Sequence, residues 1–139
     1  MTKGQFAYAE FGRALTDAVP ELRARLEKKF ERQTKTGGSP QPYAVAVLAL
    51  KPFLRELLDQ QTDTGSLQKI FAFLEEMARS SDVQVVNLLQ VAIFESLVRE
   101  PDRLAAAWGY MGEETKTVAH RTARIWSCEH NLPERRSIS

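Results

Sequence analysis

The residues whose spacing could act through charge lie in the last long patterned stretch of the chain. Lys116, His120 and Arg124 recur every fourth residue, with Arg121 beside them. On a helix that spacing lines side chains along one outer face. A basic ridge of this kind either faces water, as most charged helix faces do, or meets an acidic surface or phosphates. Asn87 and Gln90 stand about one helical turn apart inside an apolar-rich run. Buried amides need hydrogen-bond partners. These two therefore either tie down a backbone carbonyl at a neighbouring helix end or line a recognition groove.

Other groups offer less. Cys128, His120 and His130 are the only cysteine and histidines. C-x-H is not a structural zinc spacing, and a fourth ligand would have to be a carboxylate, so no metal and no other cofactor is expected. Cys128 with either histidine has the composition of a thiol nucleophile and its base, but it sits in a segment expected to fray. The carboxylates of Glu75, Glu76, Glu113, Glu114, Asp59 and Asp63 lie in polar sequence, with nothing to raise a pKa for acid–base work. Gly37 and Gly38 lack the pattern of a phosphate loop. No catalytic residue is assigned, and a non-enzyme is expected.

The elements that must position these residues are helices. Within 66–99, Leu67, Ile70, Phe71, Leu74, Met77 and Ala78 follow the spacing of one helix face. Ser66 is expected as the cap, and Phe73, at the margin, to meet a second neighbour. After a turn at Ser80 and Ser81, Asp82 can cap a second helix. Its apolar residues from Val83 to Val98 nearly surround it, which predicts a sheathed central rod with a narrow polar arc of Gln84, Glu95 and Arg99. Glu95 and Arg99 are spaced to pair. The β-branched start could begin a strand, but the run is too long for one.

A first helix is predicted over 5–16, with Tyr8, Phe11, Gly12, Leu15 and Val19 on one face. Gly12 there asks for a close neighbour to justify it. Asp17 should cap the next helix, which has Pro20 in its first turn and a thin seam of Leu22, Leu26 and Phe30. A loop covers 34–42. The 43–61 segment reads as helix with a break at Lys51 and Pro52, although its first half alternates like a strand. A short helix places Leu104, Ala105, Trp108 and Met111 inward. The last helix, 113–130, turns Val118, Ala119, Thr122, Ile125 and Trp126 to the core, and residues 133–139 form a flexible tail.

The 139 residues fit one domain, 1–132, with 43% hydrophobic and 27% charged residues. A formal net charge of +1 gives no global field toward nucleic acid or membrane. The apolar run 43–50 is far too short to span a bilayer, no secretory signal is visible, and one cysteine excludes an internal disulfide framework. A cytoplasmic protein is expected. The fold class is all-α: a compact bundle of six to seven short helices with an antiparallel pair at its centre.

The stretch LEEM, SSD, VQ and NLL between 74 and 89, preceded by VPELRARLE at 19–27, resembles an uncharacterised bacterial family of small stand-alone helical proteins with a HEAT-like helix pair. The similarity spans 18–126, and 43–52 departs from the pattern. Proteins of that kind resemble immunity proteins of toxin–immunity systems. The resemblance implies a non-enzymatic module whose partner is another protein, a toxin-like effector, masked by a rigid helical face. Binding would involve Lys116, His120, Arg121, Arg124, Asn87 and Gln90. The alternative is nucleic-acid binding through the basic ridge and the arginines of 23–32. Interleaved glutamates in 21–31 make that stripe look self-paired, so nucleic acid is the weaker expectation.

Overall fold

A computed structural model describes residues 6–38 and 40–136, and all regular elements within them are helical. A 3₁₀ turn, Tyr8–Glu10, leads into α1 (Phe11–Ala18). Gln5 lies outside the described residues. α1 runs on past Thr16, so Asp17 lies inside it and does not cap the next helix. Phe11, Leu15 and Val19 are buried as the spacing required. Pro20–Leu22 then starts α2 (Arg23–Lys29), with a short α3 (Glu31–Lys35) after it. Their seam is thin: Leu22 and Phe30 are buried, and Leu26 is half-buried.

Residues 42–60 form one continuous rod: α4 (Pro42–Val45), a wide π-turn over Ala46–Leu50, and α5 (Lys51–Gln60). The expected break at Lys51 and Pro52 is absent. Proline removes an N–H and presses its ring on the carbonyl one turn back. The wide turn, in which the Lys51 N–H reaches the Ala46 carbonyl, absorbs that clash without interrupting the helix.

α6 (Thr64–Ala78) is capped by Asp63, whose Oδ1 accepts from the Ser66 N–H at 3.0 Å; Ser66 is not the cap. Its predicted face is buried from Leu67 to Met77, and Phe73 stacks on Phe6 and tilts against Phe11, with ring centroids 5.3 and 5.9 Å apart. After the turn, Asp82 does cap the next rod, accepting from the Gln84 N–H at 2.9 Å. That rod comprises α7 (Val83–Leu88), a second wide turn over Leu89–Phe94, and α8 (Glu95–Leu97).

The rod is not sheathed all round. Val85, Leu88, Leu89, Ala92, Ile93, Phe94, Leu97 and Val98 are buried, but Val83 is 79% exposed, and Val86 and Val91 are half-buried. The wide turn explains the difference. Each extra residue in a turn slips the helical phase by about 100°. One core stripe therefore looks like a full apolar coat on a regular wheel.

α9 (Pro101–Trp108) buries Leu104 and Ala107, leaving Ala105 exposed against expectation. α10 (Glu113–Ile125) buries Thr115, Val118, Ala119, Thr122 and Ala123. It closes at Ile125 and not at 130, so Ile125 and Trp126 stay outside the core. Leu132, beyond the helix, is fully buried, and α11 (Pro133–Arg136) packs on α9. The start of the supposed tail is thus docked; residues 137–139 lie outside the described residues.

α6 is the hub, touching α1, α5, α7 and α10, and the two wide turns pack on each other. Carboxylates from distant elements hold helix N-termini. Glu75 of α6 accepts from the backbone N–H of Glu114 at 3.0 Å and of Thr115 at 2.8 Å, at the head of α10. Thr115 Oγ1 lies 3.0 Å from both Glu75 Oε1 and the Gly112 carbonyl oxygen. Asp82 also accepts from the Tyr8 N–H at 3.1 Å. The Ser66 hydroxyl contacts both Glu21 and Asp63. Arg103 forks onto Asp59 at 2.8 and 2.7 Å and reaches Glu100 at 3.1 Å, tying α9 to α5.

Two glycines should respond oppositely to alanine. A Cβ at Gly12 would sit 3.9 Å from Val45, ordinary contact, so no close approach requires glycine there. Gly12→Ala should stabilise by about 1 kcal/mol through helix propensity. A Cβ at Gly112 would fall 2.5–2.7 Å from the Glu75 carboxyl atoms. Gly112→Ala must push that carboxylate off two N–H donors, one on the buried Thr115, costing roughly 1–3 kcal/mol. Urea unfolding of both variants measures the contrast.

Acid should weaken the fold through Glu21, Asp63 and Asp59. The Ser66 hydroxyl, and then Lys69, hold Glu21 below its ordinary 4.5. The Ser66 N–H, then its hydroxyl, hold Asp63 below 3.8, and Arg103 does so for Asp59. Depressed folded values contribute stability that is complete above the ordinary values and lost as pH falls through the folded ones. Urea midpoints measured from pH 6 to 3 should decline accordingly. Ser66→Ala should flatten the decline, restoring Glu21 most, because Asp63 keeps the backbone donor.

Candidate functional site

The basic ridge of α10 does not survive as one stripe. Lys116 and His120 turn toward α9. The Lys116 ammonium sits 5.3 Å over the Trp108 ring, His120 meets the same ring edge-on at 5.8 Å, and His120 Nε2 lies 3.4 Å from Glu134 Oε2. Arg121 goes the other way: its Nε donates to Gln90 Oε1 at 3.3 Å across the gap to the 83–97 rod. Arg124 is exposed and has no partner among the described residues. The structure therefore joins Gln90 with Arg121, and separates both from Lys116 and His120.

Beyond Arg121 lies a patch that the sequence pattern hid. Ile125 is 59% and Trp126 42% exposed, and the Arg99 guanidinium stacks over the Trp126 ring at 4.8 Å. Arg99 does not pair with the Glu95 carboxylate as its spacing suggested; its Nε donates to the Glu95 backbone carbonyl at 2.8 Å. A regular wheel carries Trp126 onto the stripe of Thr115, Ala119 and Thr122. Only the end of the helix takes it off.

That end is built locally. The Cys128 N–H reaches the Ala123 carbonyl at 2.7 Å, and the Ser127 N–H the Arg124 carbonyl at 3.3 Å. These two bonds close a helix through a left-handed residue. The residue is Ser127, at φ 54°, where glycine would be at ease. A non-glycine side chain there costs roughly 1–2 kcal/mol. The Cys128 thiol donates to the Trp126 carbonyl at 3.3 Å, and Asn131 Nδ2 donates to the Val98 carbonyl at 3.0 Å, at the end of the neighbouring rod. The loop after α10 is thereby pinned beside Arg99, and Trp126 with it. Cys128 is engaged with backbone, and neither histidine is placed against it by a hydrogen bond. Among the described residues no group of cysteine, histidine and carboxylates is disposed to hold a metal ion.

Asn87 and Gln90 part company. Neither ties down a backbone carbonyl: Gln90 receives Arg121, and Asn87 is exposed. Asn87 lines an open groove of about 260 Å³ with Tyr8, Tyr43, Val83, Gln84, Leu88 and Val91. Of the two, Asn87 lines this groove and Gln90 does not. Tyr43 and Val83, 50% and 79% exposed, give this groove an apolar lip. No helix among the described residues is long and apolar enough to cross a membrane.

The 13–127 segment, from α1 to the left-handed turn that carries Trp126, matches the model of a family described as a domain of unknown function (DUF7674). No curated protein and no solved structure matches the chain. With most of its length covered by that family model, the chain belongs to the DUF7674 family.

Proposed function

We propose that the chain is a protein-binding module that acts in the bacterial cytoplasm by masking the working surface of a partner protein, a toxin. The observation that carries this reading is the exposed pair Ile125 and Trp126, with Arg99 stacked on the tryptophan and the exposed Arg121 and Arg124 in the last turns of α10 just before them. Tryptophan and arginine dominate the energetics of protein interfaces. A tryptophan held in place before contact also loses little conformational entropy on binding. Here the left-handed turn at Ser127 and the Asn131 bond to Val98 do the holding. The resemblance read in the sequence, to small helical proteins with a HEAT-like pair that resemble immunity proteins, points the same way. So does the way Lys116 and His120 are spent on Trp108 and Glu134, which breaks the basic stripe of α10 that a phosphate backbone would follow.

Co-expression with the product of the adjoining gene tests it. The expected result is relief of that product's growth inhibition and a complex that co-purifies. Trp126→Ala, with its helical circular dichroism unchanged, should weaken the complex by roughly 30-fold, as loss of an interface hot spot does. Persistent toxicity with no complex would end the proposal.

A further inference from the structure

Resting on the protein-binding reading above, we infer that the Trp126 patch receives an acidic polypeptide segment, one that sets an apolar side chain on Ile125 and Trp126 and carboxylates on Arg99, Arg121 and Arg124. The argument is charge complementarity of a particular kind. Arg99 and Arg121 are each anchored through Nε, to the Glu95 carbonyl and to Gln90 Oε1. Their terminal nitrogens have no partner among the described residues, and both side chains are exposed. A guanidinium fixed at its stem presents a planar pair of donors that matches a carboxylate through two parallel bonds. Arg124 adds a third exposed cation with no partner among the described residues.

The same geometry disfavours nucleic acid at this place. Single-stranded chains bind by stacking bases on open aromatic faces along a tracking basic groove. Here the patch offers one tryptophan and not a row of aromatic faces, and Lys116 and His120 are engaged on Trp108 and Glu134 and do not extend a basic groove along α10. An apolar centre with a short cationic rim fits a short segment of protein.

The probes are a short fluorescein-labelled peptide with glutamates on both sides of a Leu-Phe pair, the same peptide with glutamines in their place, and a single-stranded oligonucleotide of similar length. Each is titrated with the full chain at low salt and followed by fluorescence anisotropy. The expected result is binding of the acidic peptide alone, at least roughly tenfold weaker for Arg121→Glu, Arg124→Glu and Trp126→Ala, and nearly unchanged for Lys116→Glu. Should a charge reversal unfold the chain, Arg124→Gln removes the charge from an exposed side chain and gives the same readout. Absence of acidic-peptide binding, equal binding of the glutamine peptide, or tighter binding of the oligonucleotide overturns the inference. If it fails while the co-expressed complex forms, protein binding stands and the acidic segment falls. If the acidic peptide binds and the adjoining gene product does not, the surface stands and the toxin falls.

Discussion

The seat of the Glu75 carboxylate on the head of α10 is the constraint from which the patch follows. A helix N-terminus presents N–H groups without partners, and a carboxylate is their best acceptor. Glu75 comes from the last turn of α6, the hub of the bundle, and takes the N–H groups of Glu114 and Thr115. Gly112 lets it approach so closely because there is no Cβ to meet. This fixes where α10 starts and the phase in which it lies on α6. The stripe of Thr115, Val118, Ala119, Thr122 and Ala123 is then set, and so is the point at which the helix runs out beside the end of the 83–97 rod. Where Trp126 stands depends on this seat, which sets the phase of α10, and on the left-handed turn at Ser127, which ends the helix. Asp82 plays a related part, capping its own rod and holding the chain at Tyr8.

The two wide turns are the second organising feature. Ala46–Leu50 and Leu89–Phe94 pack on each other, each inside a rod that would otherwise be a plain α-helix. Pro52 gives the first a local cause. The second has no proline, and its effect is on phase: it turns the buried face of the rod between its two halves. Val83, Asn87 and Val91 thereby leave the core and line the open groove with Tyr43. Wide turns of this type recur at functional positions in helical proteins, and here they separate a packed interior from the exposed crest of the rod.

The amino-acid sequence by itself determined the helices and most of the core. The spacing of Leu67, Ile70, Phe71, Leu74 and Met77, the cap at Asp82, and the stripe of Phe11, Leu15 and Val19 follow from local periodicity and the chemistry of helix ends, which neighbours in sequence decide. Gln90 was legible as a polar group inside an apolar run, and Arg121 and Arg124 as members of a basic ridge on the last helix. Only the tertiary structure decided which of them meet. Arg121 and Gln90 come from different helices, Arg99 finds Trp126 across 27 positions in sequence, and Lys116 is diverted by Trp108. The wheel could not show that Trp126 lies outside the core, because one left-handed residue, Ser127, ends the period, and it is Leu132, beyond the turn, that is buried. Periodicity carries the direction of a side chain only while the helix lasts. Beyond the helix end the period no longer applies, and what then packs is fixed by the turn itself and by bonds to other parts of the chain, as Asn131 makes to Val98.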